Sequence, residues 1–431
     1  MKFYSLHQRS AAVSFKEAVI RGIAPDRGLY FPERIESLPD SFFNIITQLS
    51  NEEIAFEAMK QFTEGDIPID KLQKIVDQVL EFDFPLVPIT NGIATLELFH
   101  GPTMAFKDVG ARFMAECLGY FSSSGSQEIT VLVATSGDTG GAVARGFLGV
   151  EGVNVIILYP GGKVSDIQEK QLTTLGQNIT ALEVSGSFDD CQDMVKSAFL
   201  DKDITAKLQL TSANSINVAR WLPQQIYYFV AYKKLVDQYK NIVFSVPSGN
   251  FGNLCAGMVA QRLGLPIAHF IASTNINDTV PKFMQSGHYQ SQTSSPTISN
   301  AMDVGDPSNF VRILQLFENN YETLKKHLSS FSYTDEETRL AMKEIHSLSG
   351  YIADPHGAVG YLGLKDYLKN HPGFYGVFLE TAHPVKFLDV VEETLGVKLS
   401  LPPQIAEIIT KEKKAIGIGS FDDLKQFLLD S

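Results

Sequence analysis

From Ile129 onward, short apolar runs rich in β-branched residues alternate with stretches of helical periodicity. The runs fall at 129–135, 153–159, 179–184, 208–211, 242–246, 267–272 and 375–379. This alternation predicts parallel sheets wrapped by helices, an α/β fold. The runs are nearly all-apolar rather than alternating, as strands covered on both faces require, and Gly, Ser, Thr or Asn occupies the turns that follow. The first 90 residues carry few strand signals, and the helical stretches 40–62 and 69–82 mark a mainly helical N-terminal subdomain over 1–90. Residues 286–307 are polar and predict a long surface loop able to close over a site, followed by amphipathic helices at 310–328 and 334–348.

The 431 residues are ample for two or three subdomains with a ligand cleft between lobes. A net charge of -13 repels nucleic acid and anionic membranes, so an anionic ligand must be held by local groups. No apolar run approaches the ~20 residues of a membrane span, and the start lacks a leader pattern, so a cytoplasmic protein is expected. Cys117, Cys191 and Cys255 lie far apart, which excludes paired metal or redox motifs and predicts buried reduced thiols.

Three segments carry candidate chemistry. In the turn Ser248, Gly249, Asn250, Phe251, Gly252, Asn253, between the strand 242–246 and a helix at 254–263, two glycines allow close backbone approach to a ligand. Free amides at the helix start favour a phosphate, although a plain strand-to-helix turn with an Asn cap gives the same pattern. The turn Thr135, Ser136, Gly137, Asp138, Thr139 also joins a strand to a helix and suits a carboxylate or phosphate, but Asp138 would repel an anion unless its side chain points elsewhere; the plain alternative is that Asp138 only caps the helix. Lys107 opens a helix at 109–120 after a Gly-Pro turn, where the dipole lowers an amine's pKa.

Together with the segment from Thr381 to Phe387 and the N-terminal stretch from Ala24 to Tyr30, these blocks resemble threonine synthase of the longer fungal and enterobacterial branch. The resemblance spans nearly the whole chain. It implies a fold type II enzyme, similar to the tryptophan synthase β subunit, with pyridoxal 5′-phosphate (PLP) held as an imine on Lys107 in a cleft between two lobes. The catalytic region would cover 91–431, with a smaller mobile lobe at about 112–212 and a larger one formed by 91–111 and 213–431. Gly249 to Asn253 would hold the cofactor phosphate, and the Thr381 hydroxyl would face the pyridine nitrogen. Many fold type II relatives carry Asn where this chain has Asp138, which leaves Asp138 without an assigned contact. For the substrate phosphate the family points to Asn214, Ser215 and Arg220; an Arg beside Trp221 can also be a structural stack on the indole.

The activity so implied is a β,γ-replacement turning O-phospho-L-homoserine and water into L-threonine and phosphate, with Lys107 as the Cα base. Thr135 to Thr139 would bind the substrate carboxylate or phosphate. A phospho-lyase or serine/threonine dehydratase is the nearest alternative, and a non-catalytic phosphate-ligand sensor a more distant one that Lys107 argues against. Oligomeric state is left open between monomer and dimer.

Overall fold

The computed structural model describes residues 1–123 and 128–430. Its strands in chain order are β1 (Phe3–Ser5), β2 (Tyr30–Pro32), β3 (Leu86–Thr90), β4 (Ile93–Glu97) and β5 (Ile129–Ala134). There follow β6 (Val153–Pro160), β7 (Ile179–Val184), β8 (Gln209–Ser212), β9 (Ile242–Pro247) and β10 (Ile267–Thr274). The last are β11 (Leu328–Ser332), β12 (Tyr375–Glu380) and β13 (Ile416–Ile418). One sheet runs β11-β10-β9-β12-β4-β3, parallel except for the antiparallel edge strand β3; the other runs β13-β7-β6-β5-β8 and is wholly parallel.

All seven apolar runs form strands, because Val, Ile and Leu on both faces are buried by flanking helices. The strands absent from the pattern are short or polar. β11 reads Leu-Ser-Ser-Phe-Ser at a sheet edge, where only part of the surface needs to be apolar. The N-terminal residues are helical as expected, yet they also form the β1–β2 ribbon. The expected helix 40–62 is two helices, Asp40–Ile45 and Asn51–Thr63, with Ser50 starting the second through a capping box with Glu53. This region has no core of its own: Phe3, Phe15 and Phe62 belong to the same apolar cluster as Tyr228 and Phe244.

The expected helix 310–328 is also divided, into Phe310–Leu316 and Tyr321–His327. Glu318 and Asn319 adopt left-handed φ of 53° and 57° between them, and Asn320 caps the second helix. After β8 the chain runs as a helix Val218–Trp221, a 3₁₀ turn Leu222–Gln225 and a helix Ile226–Leu235. The assignment of all of 213–431 to the larger lobe fails at its end, since β13 pairs with β7 and the helix Phe421–Asp430 packs on the smaller sheet's apolar cluster. All three cysteines are buried free thiols. Among the described residues no helix is long and apolar enough to cross a membrane, and no group of His, Cys, Asp or Glu is placed to hold a metal.

Candidate active site

The candidate residues collect where the C-terminal ends of β5 and β8 meet those of β9 and β12, the location at which parallel α/β sheets expose backbone amides to a ligand. Lys107 is set there by a stretch of chain docked on the end of β12. The Leu98 amide donates to the Glu380 carbonyl at 2.9 Å and the Phe106 amide to the Thr381 carbonyl at 2.9 Å, flanking an Ala105–Ala382 bridge. The Asp108 carboxylate then folds back on Thr103, accepting from its amide at 2.9 Å and its hydroxyl at 2.6 Å. A Cβ at Gly101 would strike Asp108, so this turn needs glycine. The helix begins at Lys107 itself, two residues earlier than expected. Desolvation pulls the Lys107 amine down to about 8; Asp138 opposes the shift, and Arg220 and Lys386 add to it.

The turn after β9 makes a backbone cradle. Phe251 is left-handed at φ 62°, and the helix Gly252–Arg262 opens without a side-chain cap, so its first-turn amides keep no side-chain acceptor. A Cβ on Gly249 would lie 2.7 Å from Met302 Cα, which shows the 299–303 segment of the polar loop closing one wall of the cradle. Asn253 Nδ2 is buried without a partner although its Oδ1 accepts from Tyr228 at 2.6 Å. An acceptor-rich phosphate fits this set of donors. Ser248 is already committed: its amide donates to Ser273 and its hydroxyl to the Val246 carbonyl, so it shapes the turn. Asn250 ties the turn to Ser215 Oγ at 3.0 Å and receives the Ser308 amide.

In the turn after β5, Thr135 is likewise consumed, its Oγ1 accepting from the amides of Gly137 and Gly140. Gly137 holds φ 149°, and Ser136 and Thr139 are half-buried with no side-chain hydrogen bond among the described residues. Asp138 does not cap its helix. Its carboxylate meets the Lys386 ammonium at 2.6 Å and accepts from Gln168 Nε2 at 3.0 Å. Burial pushes Asp138 up, but Lys386 and Lys107 outweigh it and bring it down to about 2.

Arg220 is 2% exposed and among the described residues has no carboxylate at ion-pair distance. Its Nη1 donates to the Ala213 carbonyl, while its Nε has no partner. Burial lowers it to about 10, opposed by Tyr227 and Asp108. It does not stack on Trp221; Arg312 does, 4.9 Å above the indole, while donating to the carbonyls of Tyr30, Ser215 and Ile216. Asn214 is held away from a free role by its bond to the Ala134 carbonyl at 2.9 Å, which joins β5 to β8. Thr381 is buried at the end of β12 beside the Lys107 turn, and its hydroxyl has no hydrogen-bond partner among the described residues. Lys386, Gln168, Arg312 and the buried pair Asp354–His356 (2.7 Å) were not singled out from sequence. Lys386 lies inside a recognised motif and was within reach; Arg312 sits on an ordinary helical pattern and gave no signal.

A burial-depressed lysine beside a glycine-lined anion cradle, at the junction of two parallel sheets, defines a PLP-dependent enzyme of fold type II. Residues 89–373 match the family described as pyridoxal-phosphate dependent enzyme, 2–80 match threonine synthase N terminus, and 357–428 match threonine synthase, C-terminal. The chain belongs to the threonine synthase family. It is 44% identical to threonine synthase of Escherichia coli over 94% of each chain. The crystal structure of that organism's threonine synthase superposes with a TM-score of 0.94 at 42% identity, covering 100% of both chains. The PLP-bound threonine synthase from Brucella melitensis superposes at 0.92 and 32% identity, over 99% of this chain and 98% of that one.

The environment of Lys107 sets a pH dependence. An amine captures an aldehyde only when neutral, so the rate of PLP uptake by apoprotein should rise with pH and level off above about 8. Stopped-flow absorbance would check this; a rate still climbing steeply near pH 10 would contradict the burial effect.

Proposed function

We propose that the chain converts O-phospho-L-homoserine and water to L-threonine and phosphate, with Lys107 as cofactor anchor and proton carrier. The carrying observation is a buried, unpaired Arg220 guanidinium next to a low-pKa Lys107, since one cation without an ion-pair partner invites a second anion besides the cofactor's. The cradle amides of Gly249 to Asn253 hold the cofactor phosphate, with Ser248 shaping the turn. Thr381 offers a neutral hydroxyl to the pyridine nitrogen. The bound cofactor supplies an electron sink for charge at Cα. Lys107 Nζ would take the Cα proton; a Cβ proton is then removed as the phosphate leaves Cγ, Cγ gains a proton, water adds its hydroxyl at Cβ, and a proton is returned to Cα. Arg220 grips the leaving phosphate as its charge grows, and the Ser215 hydroxyl, which accepts from Asn250 and Asn309, adds a neutral group for it. Amides and hydroxyls of Ser136 and Thr139 orient the carboxylate, while Thr135 and Asn214 keep those two turns in shape. Three buried reduced thiols suit a cytoplasmic setting.

Turnover in ¹⁸O-water tests the bond changes. The label should enter the threonine hydroxyl and not the released phosphate; label in phosphate would mean simple P–O hydrolysis. At Thr381, replacement by Asp should protonate the ring, shift the cofactor's absorption band and alter the ratio of threonine to elimination product. An unchanged spectrum and ratio would reduce Thr381 to a strand-end residue.

A further inference from the structure

The fully buried Asp138–Lys386 pair connects three parts of the site that no covalent path brings together. Asp138 starts the helix after β5 in the smaller sheet, whereas Lys386 sits in the 3₁₀ turn Pro384–Phe387 after β12 of the larger one. Lys386 Nζ reaches Asp138 Oδ1 at 2.6 Å and donates to the Thr103 carbonyl at 2.9 Å, within the turn that delivers Lys107. Gln168 and Gln171, from the helix Asp166–Thr173 of the smaller lobe, complete the tie by donating to Asp138 and to the same Thr103 carbonyl, each at 3.0 Å. The side chains of Asp138 and Lys386 are 4% and 0% exposed, so neither charge is satisfied by water.

We propose that Lys386 is a positioning residue whose ammonium balances Asp138 and ties the smaller lobe to the Lys107 turn, keeping the Lys107 amine available for the cofactor. The inference rests on the PLP reading above. Its physical content is a competition among charges. The charged groups acting on Lys107 are Asp138, Arg220 and Lys386. Asp108 and His383 also feel Lys386, but Asp108 is occupied by Thr103. If Lys386 loses its charge, Asp138 keeps a buried carboxylate whose nearest remaining cation is Lys107, and that attraction holds the amine protonated. If Asp138 alone is neutralised, Lys386 becomes an unpaired buried cation facing the same amine. Removing both charges restores balance. Each single variant should therefore be worse than the double, an order that independent packing losses cannot produce.

The test compares wild type with Lys386→Met, Asp138→Asn and the double variant as holoenzymes, reading PLP dissociation constant, the pH midpoint of the bound cofactor's absorption band, and Tm. Lys386→Met should weaken PLP retention by about 30-fold or more, as loss of one partner of a buried charge pair does, and move the absorption midpoint to higher pH. The double variant should regain at least about tenfold of that affinity, with its midpoint moving back toward wild type. Additive losses in the double, or a midpoint unmoved in Lys386→Met, would overturn the proposal. Should Lys386→Met fail to fold, a folded, PLP-loaded double variant is the recovery expected, and a double that also fails to fold counts against it. A wild-type protein that takes up no PLP would instead sink the cofactor reading, whatever the variants do.

Discussion

Lys107→Ala should lose turnover by at least about 1000-fold, because one amine serves both as the cofactor's anchor and as the group that moves the Cα proton. The loss should lie in kcat rather than in folding. Lys107 retains partial solvent access, and its amine has no ion-pair partner at bonding distance among the described residues, so the variant leaves no buried charge orphaned. PLP should still bind, more weakly, through the cradle of Gly249 to Asn253, whose amides and orphaned Asn253 Nδ2 do not depend on the lysine. Borohydride treatment of the wild type should fix the cofactor to the peptide containing Lys107, and the same treatment of Lys107→Ala should fix none. Label on another lysine, or turnover of the Ala variant within about tenfold of wild type, would overturn the assignment.

The second large effect concerns Arg220. A guanidinium at 2% exposure without a carboxylate partner is costly to the unliganded fold, and the cost is offset only when an anion arrives. Arg220→Ala should raise KM for O-phospho-L-homoserine and slow phosphate departure. One charge-assisted bidentate contact contributes roughly 2 to 4 kcal/mol, so kcat/KM should fall by about 30- to 1000-fold. PLP affinity should stay close to wild type and Tm should change little, because the indole of Trp221 is covered by Arg312 and not by Arg220. The opposite pattern, lowered Tm with nearly normal kinetics, would make Arg220 a structural residue. Measuring both constants and Tm on this one variant separates the two.

Much of the framework is legible in the sequence because its signals are local. The seven strands predicted from apolar runs form because each run is buried on both faces, and the two glycine turns mark strand ends because few other residues fit the backbone there. What escaped detection depends on distance along the chain. Arg312 organises the 215–216 turn from a position 282 residues from Tyr30, and Lys386 meets the Thr103 carbonyl across 283 residues. Nothing near Arg312 distinguishes it from a surface arginine, and although Lys386 lies in the segment Thr381 to Phe387, its neighbourhood does not show the buried partners it meets. The fate of Thr135, Ser248 and Asn214 was hidden for the same kind of reason. Their residue types suit a ligand, but backbone partners set by the folded turns had already claimed them. Asp138 shows the reverse: a residue that looked adverse to an anion site carries a paired charge.

Product analysis tests the account most directly. PLP-loaded enzyme incubated with O-phospho-L-homoserine should release inorganic phosphate and L-threonine in equal amounts, with no threonine formed by Lys107→Ala. Phosphate accompanied by 2-oxobutyrate in place of threonine would contradict the account and identify an eliminating phospho-lyase.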